Sequence, residues 1–148
     1  MLLGETGVGK STLTHFLAGT ILKKGTQNEI KHLELDKFSN DCDLNEIKKI
    51  KVSALPESCT KSIYAIKVKH EKSKLLICDS PGIQDTRGSE IEIANTYGLV
   101  KAAQSCKSVV PIIILSKDSM GERMKGLKNM LQQLSNMFNN IEQFLPKI

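Results

Sequence analysis

The chain has 148 residues, a length that fits one domain of ordinary size. Hydrophobic residues make up 40% and charged residues 25%, which is typical of a globular protein and excludes a disordered or collagen-like chain. The longest apolar run, Val109–Leu115, is far shorter than the roughly 20 residues that a membrane-spanning helix needs. No secretory signal pattern precedes Glu5, so we expect a soluble protein of the cytoplasm.

The net charge is +5, but 19 of the 21 basic residues are lysines scattered along the chain. Aromatic residues make up only 4%, too few for base stacking, so we predict no nucleic-acid partner. The four cysteines form no C-x-x-C pair, which argues against a zinc site or a disulfide framework. We expect reduced thiols, with Cys78 buried as a small apolar residue.

The first predicted elements are a strand and a glycine-rich loop. Only Met1–Leu3 precede the loop, whereas a strand usually has about five to six residues, so we expect the chain to be a fragment. The loop satisfies the pattern G-x-x-x-x-G-K-[ST] in full and reads Gly4-Glu5-Thr6-Gly7-Val8-Gly9-Lys10-Ser11-Thr12. Its glycines let backbone N–H groups turn toward an anion. Lys10 can reach the terminal phosphates and the Ser11 hydroxyl can ligate Mg²⁺, so the loop predicts a phosphate site.

A helix is predicted over residues 10–22, because a phosphate loop opens a helix whose N-terminus faces the anion. Its apolar stripe consists of Leu13, Phe16, Leu17 and Ile21, and Gly25 stops it. Residues 23–57 are polar and weakly periodic, with one helical hint in Leu44, Ile47 and Ile50. A connection this long is usually functional or mobile, so we interpret it as a first switch that a bound triphosphate orders.

The middle of the chain predicts a hairpin of two strands. Four apolar residues, Ile63, Ala65, Ile66 and Val68, predict a strand over 62–69, and residues 70–73 turn the chain back into a second strand. Thr60 stands just before this hairpin, where a guanine-nucleotide switch places its second Mg²⁺ hydroxyl. The alternative is that Thr60 merely starts the strand, a common use of a β-branched residue.

The second strand of the hairpin ends in Asp79, followed by Ser80, Pro81 and Gly82. A carboxylate at the C-terminal edge of a buried strand lies beside the phosphate loop and can hold Mg²⁺ through a water, as a Walker B aspartate does. Gly82 lets a backbone N–H approach a γ-phosphate closely. Such a D-x-x-G segment is a weak signal alone but a strong one beside a complete phosphate loop.

The remaining elements follow a second predicted switch at residues 83–88. A helix is predicted to begin at Ser89 with a Ser89–Glu92 capping box and to bury Ile93, Tyr97 and Val100. Val109–Leu115 predicts a buried parallel strand, in which Pro111 is tolerated near the start. A second capping box, Ser119 with Glu122, opens a long amphipathic helix. Its predicted apolar stripe consists of Met124, Leu127, Leu131, Leu134, Phe138 and Ile141.

The loop, Thr60 and the D-x-x-G segment together resemble the P-loop GTPases. The string at residues 4–12 is similar to that of the septins and the immune-associated nucleotide-binding proteins, and the string at residues 79–88 is similar to the switch of the latter. The resemblance implies an α/β fold, a three-layer P-loop NTPase (G domain) with a mostly parallel sheet and one antiparallel hairpin strand. It implies that residues 1–148 are the N-terminal part of a single GTP-binding domain, incomplete as it stands.

The resemblance also implies roles for individual residues. Lys10, Thr60 and Gly82 would take part in catalysis, and the nucleotide would lie on the whole loop 4–12 together with Asp79 and Gly82. Ser11 and Thr60 would ligate Mg²⁺, with Asp79 behind a water. The water-positioning glutamine of Ras-like members is replaced here by Ile83, which implies slow GTP hydrolysis, or hydrolysis assisted by a homodimer formed across the nucleotide face.

Guanine selectivity follows from the resemblance alone, because no [NT]-K-x-D motif is present. The segment Ser116-Lys117-Asp118 resembles the motif only superficially, since its aspartate comes one residue too early. An ATPase or P-loop kinase, a nucleotide-gated scaffold with little turnover, and an incomplete product without activity remain alternatives. We also expect the run 109–115 to form an exposed apolar sheet edge, so the chain alone should be marginally stable and should bind GTP or GDP weakly.

Overall fold

The computed structural model describes residues 1–27, 30–38, 42–52, 60, 62–70, 73–83, 88–117 and 120–137. Helices and strands are mixed along the chain, so the fold is of the α/β class. The elements are β1 (Leu2–Leu3), α1 (Lys10–Leu17), β2 (Ile21–Gln27), β3 (Ile30–Lys37), α2 (Leu44–Ile47), β4 (Tyr64–His70), β5 (Ser73–Asp79), α3 (Ser89–Gln104), β6 (Ile112–Ile113) and α4 (Gly121–Met137). In the part of the chain that is described, no helix has the length and apolar character needed to cross a bilayer.

Strand β1 is only two residues long, and both of its leucines are buried. Its Leu3 carbonyl, like that of Met1, accepts a hydrogen bond from the β6 side, each with an N···O distance of 2.8 Å. The alternate carbonyls, of Leu2 and Gly4, accept from the segment that follows β5. Because successive carbonyls of a strand point to opposite sides, β1 has neighbours along both edges. The phosphate loop therefore starts from a buried position.

The described ladders include one parallel pair and two antiparallel pairs. The parallel pair, β1 with β6, is two residues long. Strands β4 and β5 form the predicted hairpin, in which Tyr64 pairs with Asp79 and His70 with Ser73. Strands β2 and β3 form a second antiparallel hairpin. These ladders do not display the mostly parallel sheet that the sequence predicted, because β2 and β3 lie where the sequence predicted a helix end and a loop.

The prediction of a helix over 10–22 is wrong at its C-terminal end. Helix α1 ends at Leu17, because Gly19 adopts a left-handed φ of 78° that stops the helix. Ile21 then begins β2 instead of closing a helical stripe. The stripe itself is also wrong, since Phe16 is 66% exposed and the buried side chains of α1 are Lys10, Thr14 and His15.

The interpretation of residues 23–57 as one long loop is wrong for its described part. Strands β2 and β3 occupy most of residues 21–37 and pair with each other. The side chains that the structure describes on this hairpin are exposed or half-buried. The helical hint is confirmed in α2, whose first turn is capped by the Asp43 carboxylate, which accepts from the N–H groups of Asn45 and Glu46. Residues 28–29, 39–41 and 53–57 of the predicted switch lie outside the described residues.

Helix α3 begins at Ser89 as predicted, but its capping and its buried face differ. Gly88 is the N-cap and no side chain caps the helix, so the predicted Ser89–Glu92 box does not form. Tyr97 is 65% exposed and Leu99 is buried instead. Helical periodicity fixes the spacing of a stripe, but the side that becomes buried depends on the neighbouring elements.

Helix α4 and strand β6 also bury less than predicted. In α4, Met130 and Leu134 are buried while Met124 and Leu131 are exposed; Ser119, Phe138 and Ile141 lie outside the described residues. Strand β6 has the predicted parallel pairing but spans only two residues of the predicted run. Ile112 and the nearby Val110 are exposed, so the prediction of a buried strand is wrong.

Two clusters of buried apolar side chains hold the described elements together. The first joins β1 to α3 and α4 through Leu3, Ile83, Leu99, Met130 and Leu134. The second joins α1 and α2 to β4 through Ala18, Ile47, Ile50 and Ile66. Burial of this apolar surface supplies the main favourable term in folding. Cys78 is buried as predicted, and burial raises the pKa of its thiol.

Candidate functional site

The glycine-rich loop connects β1 directly to α1. Gly7 and Gly9 have φ values of 83° and 90°, in the left-handed region that side-chain-bearing residues rarely adopt. Gly9 is also the N-cap of α1, so the loop ends where the helix leaves its first N–H groups without intrahelical partners. A loop that ends at a helix N-terminus with left-handed glycines forms a concave backbone surface that favours an anion.

The Lys10 side chain folds back beneath this loop. Its ammonium donates to the carbonyl oxygen of Gly4 at 3.0 Å and to that of Glu5 at 2.8 Å. The side chain is only 6% exposed. A buried ammonium held by neutral carbonyls keeps a positive charge at the loop, and phosphate oxygens are strong acceptors for such a donor.

Three sequence-predicted residues from distant parts of the chain meet at the start of α1. The Ser11 hydroxyl lies 3.1 Å from the Thr60 hydroxyl and donates to Asp79 Oδ2 at 2.8 Å. Thr60 is buried and Asp79 has no exposed surface. The chain separations are 49 and 68 residues, so tertiary folding alone brings these oxygens together.

The Asp79 carboxylate lies in an unusual electrostatic environment. Burial raises its pKa, while the hydrogen bond from Ser11, the charge of Lys10 and the nearby Thr14 hydroxyl oppose the rise. Thr14 itself donates to the Lys10 carbonyl oxygen. Among the described residues, Asp79 Oδ1 is buried without a hydrogen-bond partner. A buried carboxylate oxygen in this condition is costly unless a cation or a water satisfies it.

Gly82 packs against the loop so closely that only a glycine fits. A Cβ atom at this position would overlap the Thr6 hydroxyl and would lie 2.7 Å from both the backbone nitrogen and the Cα of Thr6. The N–H of the next residue, Ile83, donates to the Gly4 carbonyl oxygen at 3.0 Å. The D-x-x-G turn is therefore held directly on the phosphate loop.

Ile83 does not face the site. Its side chain is buried in the apolar cluster with Leu3 and Leu99, so it cannot orient a water. Gln84, the adjacent polar residue, lies outside the described residues. No polar side chain from this position of the D-x-x-G turn therefore reaches the loop.

The other predicted loop residues support the loop or line a cavity. Gly4 is required where β6 approaches, because a Cβ would lie 2.5 Å from the Ile114 carbonyl oxygen, and the Val8 side chain packs there. Thr12 and Gly9 line a cavity of about 410 Å³ that continues along α1 to Leu22. Among the described residues no three His, Cys, Asp or Glu side chains form a metal-binding group, so a cation here would rely on hydroxyls and one carboxylate.

Sequence reasoning missed two buried hydroxyls beside the site. Thr14 lies one helical turn after Lys10, and that spacing was the available signal. Ser80 follows Asp79 directly, and its hydroxyl donates to the Leu2 carbonyl oxygen at 2.6 Å, which joins the end of β5 to β1. Both hydroxyls donate to backbone carbonyls next to the site and so help to fix the positions of α1 and β1.

No protein-family model, curated protein or solved structure matches the chain. The case for a function therefore rests on its own residues and their geometry.

Proposed function

We propose that this chain binds GTP together with Mg²⁺ and hydrolyses it slowly, as a nucleotide switch. The observation that carries the proposal is the meeting of Ser11, Thr60 and Asp79 beside a glycine-rich loop that ends in a helix N-terminus. Two hydroxyls and a carboxylate are hard oxygen ligands of the kind that Mg²⁺ prefers when it also holds nucleotide phosphates.

The finer fold is part of the same proposal. We infer a three-layer P-loop G domain, with β1 in the interior of a mostly parallel sheet. Support comes from the hydrogen bonds on both edges of β1 and from the apolar clusters that join it to α3 and α4 and join β4 to α1 and α2. The β2–β3 hairpin would then be an insertion between α1 and the switch that contains Thr60.

Ser11 and Thr60 would hold Mg²⁺ through their hydroxyls, and Asp79 would hold its hydration shell. The unpartnered Asp79 Oδ1 supports this fit, because a hydrated cation would satisfy that oxygen and favour the ionised carboxylate. A bound Mg²⁺ supplies neutralisation of the charge that develops on the phosphate oxygens.

The chain's own residues would bind and orient the triphosphate. Backbone N–H groups of residues 4–12 would surround the phosphates, and the Lys10 ammonium would move from its carbonyl partners to the terminal phosphates. The Gly82 N–H would approach the γ-phosphate. In the hydrolytic step a water attacks the γ-phosphorus in line, the bond to the β–γ bridging oxygen breaks, and GDP and phosphate leave.

A scaffold with little turnover is the second candidate, and one observation favours it. The buried Ile83 side chain cannot position the attacking water. Dimer formation across the nucleotide face could supply a group in trans, and single-turnover hydrolysis that accelerates with protein concentration would support that mechanism. A rate that is independent of concentration and close to the uncatalysed one would favour the scaffold.

The choice of guanine over adenine rests on the resemblance of the loop and switch strings to GTPases. An ATPase or P-loop kinase would share the phosphate site, because the loop does not contact the base. Comparison of the two purine nucleotides is therefore part of the test.

The test is equilibrium binding of fluorescent GTP and ATP analogues with Mg²⁺. Lys10→Ala removes the buried ammonium, and Lys23→Ala in β2 removes an exposed one as a matched control. We expect GTP-selective binding that Lys10→Ala abolishes and Lys23→Ala preserves. Equal binding of both purines would favour the ATPase or kinase, and the absence of binding would contradict the proposal.

A further inference from the structure

The Thr6 side chain has a hydroxyl that no described contact explains. Thr6 Oγ1 is buried, and it has no hydrogen-bond partner among the residues that the structure describes. Native proteins rarely leave such a hydroxyl unsatisfied, and exceptions deserve a functional explanation. Apart from Asp79 Oδ1, which the proposed Mg²⁺ site accounts for, the described residues contain no other buried side-chain oxygen or nitrogen in this condition.

The position of this hydroxyl is the second observation. The hydroxyl lies against Gly82, where a Cβ atom added to the glycine would overlap it. The Thr6 hydroxyl and the Gly82 backbone are therefore in direct contact. The Lys10 ammonium is held by the carbonyls of Gly4 and Glu5, the two residues that precede Thr6. The Thr6 hydroxyl, the Gly82 N–H and the Lys10 ammonium are thus three donors carried by the loop and by the turn packed on it.

We propose that the Thr6 hydroxyl is a specificity contact for the terminal phosphate, which makes the site prefer a nucleoside triphosphate to a diphosphate. This inference rests on the proposed function. A γ-phosphate that approaches the Gly82 N–H would lie beside Thr6 and would accept a hydrogen bond from its hydroxyl. A diphosphate lacks that group, so the Thr6 hydroxyl would stay buried without a hydrogen-bond partner.

The chemistry distinguishes this role from a purely structural one. A hydroxyl that stabilised the loop would lower the unfolding temperature when removed, and it would weaken triphosphate and diphosphate binding alike. A buried hydroxyl without a partner does the opposite, because replacing it by a methyl group of the same shape is neutral or stabilising. Thr6→Val makes that replacement with almost no change in volume.

The experiment compares the affinities of GTPγS and GDP in the presence of Mg²⁺ for the full chain and its variants. A hydrogen bond to a charged phosphate is worth enough that its loss should lower the GTPγS affinity about tenfold or more in Thr6→Val. The ratio of GTPγS to GDP affinity should fall accordingly. Thr6→Ser should restore the ratio, and Thr26→Val in β2 is the matched control on an exposed strand. We expect Thr6→Val without nucleotide to unfold at the same or a higher temperature.

Each other outcome overturns a defined part of the argument. If the wild-type chain binds neither nucleotide, or binds them no better than Lys10→Ala does, the proposed function fails and this inference fails with it. If the wild-type chain prefers GTPγS and Thr6→Val keeps the same ratio, the inference alone fails. If Thr6→Val is destabilised and loses both affinities together, Thr6→Ala decides: an unchanged ratio in that variant also overturns the inference.

Discussion

The phosphate loop with α1 and the β2–β3 hairpin are consecutive in the chain, and they differ in what they bury. Four of the five buried residues of segment 10–20 are polar or charged: Lys10, Thr14, His15 and Thr20, the fifth being Ala18. In the hairpin, no side chain that the structure describes is buried, and Ile21 and Leu33 are exposed.

Segment 10–20 buries polar groups at a cost in stability, and the β2–β3 hairpin does not. Burying hydroxyls, an ammonium and an imidazole costs free energy, and the first segment recovers it only through specific hydrogen bonds. The hairpin keeps its charges in water and depends on its backbone ladder. The same substitution should therefore have a large effect in the first region and a small one in the second.

The largest contrast is expected between two aspartates. Asp79→Asn removes the buried charge beside Ser11 with little change in volume, and Asp36→Asn makes the same change on an exposed strand. A residue that orients a metal's bound water typically contributes about 10–100-fold to metal affinity, so Asp79→Asn should weaken Mg²⁺-dependent GTP binding by that factor. Titration of Mg²⁺ at a constant GTP concentration measures it. Equal Mg²⁺ dependence in the two variants would argue against the metal site.

Glycine substitutions should separate backbone contacts from side-chain contacts. A Cβ on Gly82 would meet the Thr6 backbone at 2.7 Å, whereas a Cβ on Gly25 in β2 would meet only the flexible Glu34 side chain. Gly82→Ala should lower the free energy of unfolding by about 1–3 kcal/mol, as overpacking does. Gly25→Ala should change it by less, because the Glu34 side chain can move. Denaturant unfolding compares them, and equal losses would contradict the close contact.

The Gly82 contact can be tested further with a second variant. Because the overlap includes the Thr6 backbone nitrogen and Cα, removing the Thr6 side chain should not rescue Gly82→Ala. A double variant, Thr6→Ala with Gly82→Ala, should therefore remain as unstable as Gly82→Ala alone. Full rescue would mean that the side chain causes the whole effect.

A pH effect is expected from the first region through His15. Its Nε2 donates to the Ile50 carbonyl oxygen at 3.0 Å, and Nδ1 lies 3.3 Å from the Thr20 hydroxyl, which can donate to it when the ring is neutral. Burial lowers the pKa of His15 from its usual 6.5, although the Ile50 carbonyl partly opposes this. Below pH 6.5 the unfolded chain therefore binds more protons than the folded chain, and stability is lost as the pH falls.

The slope of this loss can be measured by denaturant unfolding between about pH 7.5 and 5.5, a range set by the histidine pKa. It should reach at most about 1.4 kcal/mol per pH unit for one histidine. His15→Gln should flatten it. Asp79 acts with the opposite sign, because its raised pKa makes stability fall as the pH rises above 3.8. Repeating the series in Asp79→Asn isolates the histidine. An unchanged slope in His15→Gln would contradict the neutral ring.

The smallest effect is expected in the hairpin. Lys23 and Asp36 approach to 3.9 Å, and both side chains are largely in water. Such an exposed pair is worth about 0–1 kcal/mol, so Lys23→Met should alter the free energy of unfolding by less than about 0.5 kcal/mol at physiological salt. A larger loss in the free energy of unfolding that persists at high salt would show that the Lys23–Asp36 pair is shielded from water.

Prediction from the sequence succeeded where the requirements are local. The left-handed glycines and the start of α1 at Lys10 follow from the loop pattern, because backbone dihedrals and helix capping are set by neighbours in the chain. The β4–β5 hairpin, ending at Asp79, is confirmed, and the sequence predicted it from two apolar segments separated by a short polar turn.

Prediction failed where distant contacts decide. The stripes of α1 and α3 had helical spacing, yet Phe16 and Tyr97 face outward because other elements pack on the opposite faces. The apolar spacing predicted a helix through residue 22, whereas pairing with β3 makes Ile21 part of a strand. The spacing of apolar residues is a property of a single helix, whereas the burial of a residue also depends on the element that packs against that helix.

By itself the sequence determined the phosphate loop, the carboxylate at the end of β5 and the residue types available to the site. Only the tertiary structure decided that Ser11, Thr60 and Asp79 lie within hydrogen-bonding distance, and that the Thr6 hydroxyl lies buried under Gly82. The physical reason is that dihedral preferences act between neighbours, whereas the burial of a polar atom depends on which distant segment covers it.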